Sequence, residues 1–126
     1  MQAIILDRDG VINERMTDHE YVTQVSEINY LVENIDVLKN IKKEIPIFIV
    51  TNQQGVGKGF MSLKTLNMIN NEILQYLEKC NIKILKIYTC THFESDSCNC
   101  RKPKSGMLHS IAKEFAIDLT ESLFIG

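Results

Sequence analysis

The 126-residue sequence has no apolar run of the roughly 20 residues a bilayer-crossing helix needs. The apolar stretch Ala3-Ile4-Ile5-Leu6 is too short for a secretory leader and meets Asp7 at once, so none is expected. Together these absences exclude a helical membrane span and make a cytoplasmic chain the expectation. An excess of charge of one sign is also lacking: 14 Lys and Arg stand against 16 Asp and Glu, a formal net charge of -2. Basic residues are scattered apart from Arg101-Lys102-Pro103-Lys104, so nothing marks a surface for nucleic acid. Internal repeats, low-complexity tracts and Pro- or Ser-rich linkers are absent as well. The length suits one compact domain over residues 1–126, and 44% hydrophobic residues suffice for a single core. A monomer is the expected state.

What the sequence does contain is an alternation of short apolar runs and helical periodicities. Residues 2–6, 46–50, 82–89 and 122–125 read as buried strands, with Pro46 tolerated at a strand's first position. Ile35, Leu38 and Ile41 give helical spacing over residues 34–44. Ser62 is a candidate N-cap for a helix through residue 79, with Leu63, Leu66, Ile69, Ile73 and Leu77 on one face. A third helix is expected over 106–116. The alternation predicts right-handed βαβ units in an α/β fold, a Rossmann-like three-layer α/β/α sandwich with a mostly parallel sheet. In such sheets ligands bind beyond the carboxyl ends of the strands. The motifs Asp7-Arg8-Asp9-Gly10, Thr51-Asn52-Gln53-Gln54-Gly55 and Cys100-Arg101-Lys102-Pro103-Lys104-Ser105-Gly106 each follow a predicted strand, so they should meet at one sheet edge.

Two carboxylates at i and i+2 repel unless a cation or a shared proton compensates them. A hard divalent ion such as magnesium suits Asp7 and Asp9, because it takes one or two carboxylates and keeps several waters. With it, one carboxylate can attack phosphorus while the other moves protons. The competing reading is a polar turn whose aspartates bond only to backbone.

Cys90, His92, Cys98 and Cys100 offer three thiolates and one imidazole, a closed tetrahedral set for structural zinc. Reduced thiols beside a surface histidine are the alternative. The segment holds almost no core-forming residues, so metal bonds would order it and fix the adjacent Arg101 and Lys102. Cys80 stands apart and reads as a half-buried free thiol. Gly55-Val56-Gly57-Lys58-Gly59 is not a nucleotide-binding P-loop: that motif requires Gly where Asn52 stands and Ser or Thr where Gly59 stands. His109 reads as a surface or helix-packing residue.

MQAIILDRDGVIN, VTNQQGVGKG and CRKPKSGM resemble, in order, the first three motifs of the haloacid dehalogenase (HAD) superfamily of phosphatases. The resemblance is nearest to the branch that holds heptose bisphosphate and histidinol-phosphate phosphatases, and it covers essentially the whole chain. It implies a HAD-like fold in which Asp7 is the nucleophile and a Mg2+ ligand. Asp9 would be the general acid and base, with its backbone carbonyl on the metal. Thr51 would hold the transferring phosphoryl group beside Asn52, Gln53 and Gln54. Lys102 would neutralise phosphoryl charge and Arg101 would contact substrate. Asp18-His19-Glu20-Tyr21-Val22 is similar to a substrate-loop segment of the heptose enzymes, which puts Asp18, His19 and Tyr21 at the substrate. A plain surface histidine is the alternative for His19. Zinc at Cys90, His92, Cys98 and Cys100 is likewise implied.

The superfamily's fourth motif, an acidic residue after the fourth strand, is expected just where the sequence reads Ser122-Leu123-Phe124-Ile125-Gly126, so truncation before that motif is expected. About forty residues separate the first two motifs and about fifty the next two. Neither gap holds a cap domain, so an open site lidded by the zinc-binding loop and residues 13–22 is expected. DRDGVIN, DHEYV and TNQQGVGKG favour D-glycero-D-manno-heptose 1,7-bisphosphate as substrate. The five residues between His92 and Cys98 are similar to the histidinol-phosphate enzymes instead. A catalytically inactive zinc-stabilised binding module is the reading from another class. The expected partner is a small phosphorylated metabolite, with no nucleic acid and no membrane.

Overall fold

The computed structural model describes residues 1–16, 21–53, 56, 59–90 and 106–126. Among the described residues, four strands and three helices alternate: β1 (Ile4–Asp7), α1 (Val32–Leu38), β2 (Ile47–Asn52), α2 (Leu63–Lys79), β3 (Lys86–Cys90), α3 (Gly106–Phe115) and β4 (Leu123–Ile125). All strand pairs are parallel, in the order β3-β2-β1-β4. The register aligns Asp7 with Val50, and Thr51 and Asn52 with Thr89 and Cys90.

Side chains that alternate along the strands fill two apolar layers. Leu6, Ile47 and Ile49 pack with Ile35 and Leu38 of α1 and with Leu66, Ile69, Ile73 and Leu77 of α2. Ala3, Ile5, Phe48, Val50, Tyr88 and Cys90 pack on the opposite face with Met107 and Ile111 of α3. Burial on both faces explains why the central strands read as unbroken apolar runs, not as a polar–apolar alternation. The outcome is a parallel-sheet α/β sandwich. Among the described residues no helix is long and apolar enough to cross a membrane.

The boundaries depart from the periodicity where local chemistry intervenes. The helix expected over 34–44 ends at Leu38, and residues 39–45 run as turns closed by Ile41 N–H to Leu38 O and Ile45 N–H to Lys42 O. Pro46 bars helical geometry from the residue before it. α2 starts as expected: Ser62 Oγ accepts from Thr65 N–H at 3.1 Å. Leu63 is exposed at 56%, so the apolar stripe begins one turn later, at Leu66. α2 closes on Asn81 at φ 65°, with Asn81 N–H to Glu78 O and Ile82 N–H to Leu77 O. That is a Schellman ending with Asn in the position glycine usually takes. Residues 82–85 finish this exit, so β3 begins at Lys86 and not at residue 82. Cys80 is a half-buried free thiol, and His109 is exposed.

Candidate active site

The carboxyl ends of β1, β2 and β3 carry Asp7, Thr51 with Asn52, and Cys90 at one edge of the sheet. Asp7 is half-buried and ends the strand that lies between β2 and β4. Beyond it the chain must reverse sharply. Gly10 adopts φ +88°, Ile12 N–H reaches Arg8 O at 2.8 Å, and Gly10 N–H reaches Asn13 O at 2.7 Å. An L-residue at Gly10 would be strained by that φ.

This turn brings Asp9 back among donors from three directions. Asn13 Nδ2 donates to Asp9 Oδ1 at 2.9 Å, Arg8 Nη2 to the same oxygen at 3.0 Å, and Gln53 Nε2 to Oδ2 at 2.6 Å. Gln53 Nε2 also donates to Thr51 Oγ1 at 2.8 Å, which ties the two strand-end motifs together. Arg8 has no exposed surface, and its Nη1 donates to Asn70 Oδ1 of α2 at 2.9 Å. Asn70 Nδ2 in turn donates to Thr89 Oγ1 of β3 at 3.3 Å. Charge-assisted bonds of this kind are the stronger class of hydrogen bond, so the Asp9 side chain is held in one orientation.

The donor chemistry at this edge fits a hard divalent cation. Asp7 supplies a carboxylate, and Asp9, whose carboxylate is engaged by amide and guanidinium donors, has its backbone carbonyl to offer. Two buried amide oxygens, Asn13 Oδ1 and Gln53 Oε1, have no hydrogen-bond partner among the described residues, and each belongs to a side chain that donates to Asp9. A Cβ placed on Gly126, after β4, would stand 2.9 Å from Asp7 Oδ2, so the chain following β4 abuts the same carboxylate. Among the described residues there is no group of three or more His, Cys, Asp or Glu side chains placed to hold an ion.

The model of the polynucleotide kinase 3 phosphatase family matches residues 2–126. The chain belongs to this family of phosphatases. D-glycero-alpha-D-manno-heptose-1,7-bisphosphate 7-phosphatase of Campylobacter jejuni is 36% identical over 126 residues, covering 99% of this chain and 70% of the relative. D-glycero-beta-D-manno-heptose-1,7-bisphosphate 7-phosphatase of Haemophilus influenzae is 34% identical over 132 residues, again covering 99% of this chain and 70% of the relative. Among solved structures, D,D-heptose 1,7-bisphosphate phosphatase of B. bronchiseptica, complexed with magnesium and phosphate, superposes with a TM-score of 0.86 at 32% identity. That match covers 94% of this chain, which spans 66% of the solved one. The HAD-type fold and phosphatase membership that the three motifs implied are both supported.

In this HAD phosphatase the structure brings together Asp7, Asp9, Thr51, Asn52 and Gln53. Gln53, expected among the substrate contacts, is fully buried, because its donors are spent on Asp9 and Thr51 beneath the site. Tyr21 is half-buried against the α1–α2 layer, its ring centroid 6.3 Å from that of Phe60. Asp18, His19, Gln54, His92, Cys98, Cys100, Arg101 and Lys102 lie outside the described residues. Cys90 is buried at the end of β3 and is disulfide-bonded. Sequence reasoning passed over Arg8, Asn13 and Asn70. Strand parity offered one signal: Leu6 faces the α2 layer, and Arg8, two residues on, continues towards Asn70.

Proposed function

We propose that this phosphatase hydrolyses a sugar phosphate, D-glycero-D-manno-heptose 1,7-bisphosphate, through an aspartyl-phosphate on Asp7. The observation that carries the reading is the Asp7 carboxylate at the carboxyl end of β1, beside Thr51 at the end of β2 and Asp9 in the intervening turn. A carboxylate oxygen of Asp7 attacks phosphorus, and the bond to the ester oxygen breaks. Asp9 gives that departing oxygen its proton. Asp9 then takes a proton from water, whose oxygen displaces Asp7 and releases inorganic phosphate. Thr51, Asn52 and Lys102 hold the phosphoryl oxygens, with Arg101, Gln54, Asp18, His19 and Tyr21 facing the rest of the substrate. Gln53 acts from below by orienting Thr51 and Asp9. Asp7 and the Asp9 backbone carbonyl would hold Mg2+, which when bound would neutralise charge on the phosphoryl group. An acidic residue following β4 would face the same ion.

The remaining parts of the reading are a single HAD-like core domain over residues 1–126, no cap domain, an open site, a monomer and a cytoplasmic metabolite as substrate. Between β1 and β2 the described residues hold only α1 and the short 3-10 turn Val25–Glu27, far less than a folded cap. A structural zinc ion on Cys90, His92, Cys98 and Cys100 would order the segment that carries Arg101 and Lys102. The alternative is the same segment without metal. Zinc analysis of protein prepared under reducing conditions separates the two. About one ion per chain, falling on Cys98→Ser, supports the metal, and unchanged stoichiometry removes Cys98 from the ligand set.

Turnover measured with Mg2+ on heptose 1,7-bisphosphate, histidinol phosphate and a 3′-phosphorylated oligonucleotide tests the substrate. The first should be preferred in kcat/KM by at least about tenfold, equivalent to roughly 1.4 kcal/mol in the transition state. Preference for histidinol phosphate or for the oligonucleotide would reassign the substrate. Activity on none of them would leave an inactive zinc-stabilised binding module.

A further inference from the structure

The helix face that covers the sheet on the α2 side is apolar at Leu66, Ile69, Ile73 and Leu77, yet it places Asn70 among them, only 9% exposed. The residue Asn70 receives is an arginine with no exposed surface. Burial of a guanidinium is costly unless its donors are met, and an apolar pair of the same size would pack at least as well. The arrangement therefore calls for a reason other than packing. Its output is one carboxylate: Arg8 Nη2 at 3.0 Å and Nε at 3.3 Å both reach Asp9 Oδ1, while Nη1 is fixed by Asn70, itself bonded to Thr89 of β3.

We infer that Arg8 and Asn70 are positioning residues that set the orientation of Asp9 for proton transfer to the leaving group, anchoring it through α2 and β3 to the frame of the sheet. The inference rests on the proposed role of Asp9 as general acid. Neither residue touches substrate. A proton donor delivers its proton only within hydrogen-bond reach of the oxygen it serves, and a small displacement carries a large penalty in rate. Arg8 alone would leave Asp9 attached to its own turn. With Asn70 and Thr89 the guanidinium becomes a strut between that turn and the packed core, so its position is that of the helix and strand.

The test compares two substrates. A sugar phosphate departs as an alkoxide and needs the proton; p-nitrophenyl phosphate departs as a stable phenolate and does not. kcat/KM reports the steps through formation of the phospho-enzyme, where the leaving group departs. For Asn70→Ala, kcat/KM on the sugar phosphate should fall on the order of 10- to 100-fold, while that on p-nitrophenyl phosphate stays within about twofold. Arg8→Lys keeps the charge but cannot bridge Asp9 and Asn70, and should show the same selective loss. If Arg8→Lys does not fold, Asn70→Ala decides. Equal losses on both substrates, or no loss on either, would overturn the inference. Asp9→Ala is the control for the reading beneath it. If that variant shows no leaving-group-selective loss, the acid assignment itself fails, whatever Asn70→Ala does.

Discussion

Asp7 and Asp9 are two residues apart but occupy different surroundings, and the difference follows from the strand ending at Asp7 and the turn at Gly10. Asp7 ends β1 at the sheet edge, whereas Asp9 is folded back under Arg8, Asn13 and Gln53 by the turn at Gly10. Asp7→Asn should therefore abolish turnover with the circular dichroism spectrum and melting temperature little changed; retained turnover would refute the covalent route. Tyr30 gives a second prediction at this scale. Its ring stacks on Tyr76 at 3.6 Å between centroids, and its hydroxyl is buried with no hydrogen-bond partner among the described residues. Burial first, then the negative charge of Glu72, pushes the hydroxyl up from 10.0 to about 12. The neutral form is thus favoured by the fold: this contribution is complete below pH 10 and is lost as pH rises from 10 to about 12. Tyr30→Phe should flatten that alkaline loss in a melting-temperature series, and should cost little at neutral pH because it removes an unsatisfied group. The motif residues Asp7 and Thr51 could be read from the sequence because polar side chains directly after apolar runs are conspicuous. Arg8 could not be read so directly. A charge beside two carboxylates looks like a solvated residue until the helix that covers it is known.

At the scale of elements, α2 was the most readable part of the molecule. Its stripe from Leu66 to Leu77 and its cap at Ser62 are local signals that tertiary packing reinforces. Ser62→Ala should lower stability by about 1 kcal/mol, seen in denaturant unfolding as a lower midpoint with an unchanged slope. No loss would mean that Thr65 N–H finds another acceptor. The ends of α1 and β3 were misjudged for a common reason. Ile41 continues the helical spacing and residues 82–85 are apolar enough to extend a strand, but the turn closed by Ile41 N–H on Leu38 O and the left-handed Asn81 redirect the chain first. Hydrophobic spacing shows which side is buried, and backbone geometry decides where an element stops.

At the scale of the whole molecule, a parallel sheet was implied by the alternation of elements, but its order was not: no local pattern states that β1 lies between β2 and β4. That arrangement sets Asp7 and the chain following β4 against each other. An ion bound there stabilises the folded state by mass action, by about 2.7 kcal/mol at one hundred times its dissociation constant. The melting temperature should therefore rise with Mg2+ concentration, and the rise should be reduced in Asp7→Asn. An equal rise in both would place the ion elsewhere.

The same strand order has a consequence for biosynthesis. The segment bearing Asp7 leaves the ribosome well before residues 123–125, which form one of its two neighbours in the sheet. Until those are delivered, β1 keeps one bare flank, the kind of surface on which nascent chains stick to each other. The interval between translating β2 and β4 is thus when this polypeptide most needs a chaperone, and slowing elongation within it should raise the aggregated fraction.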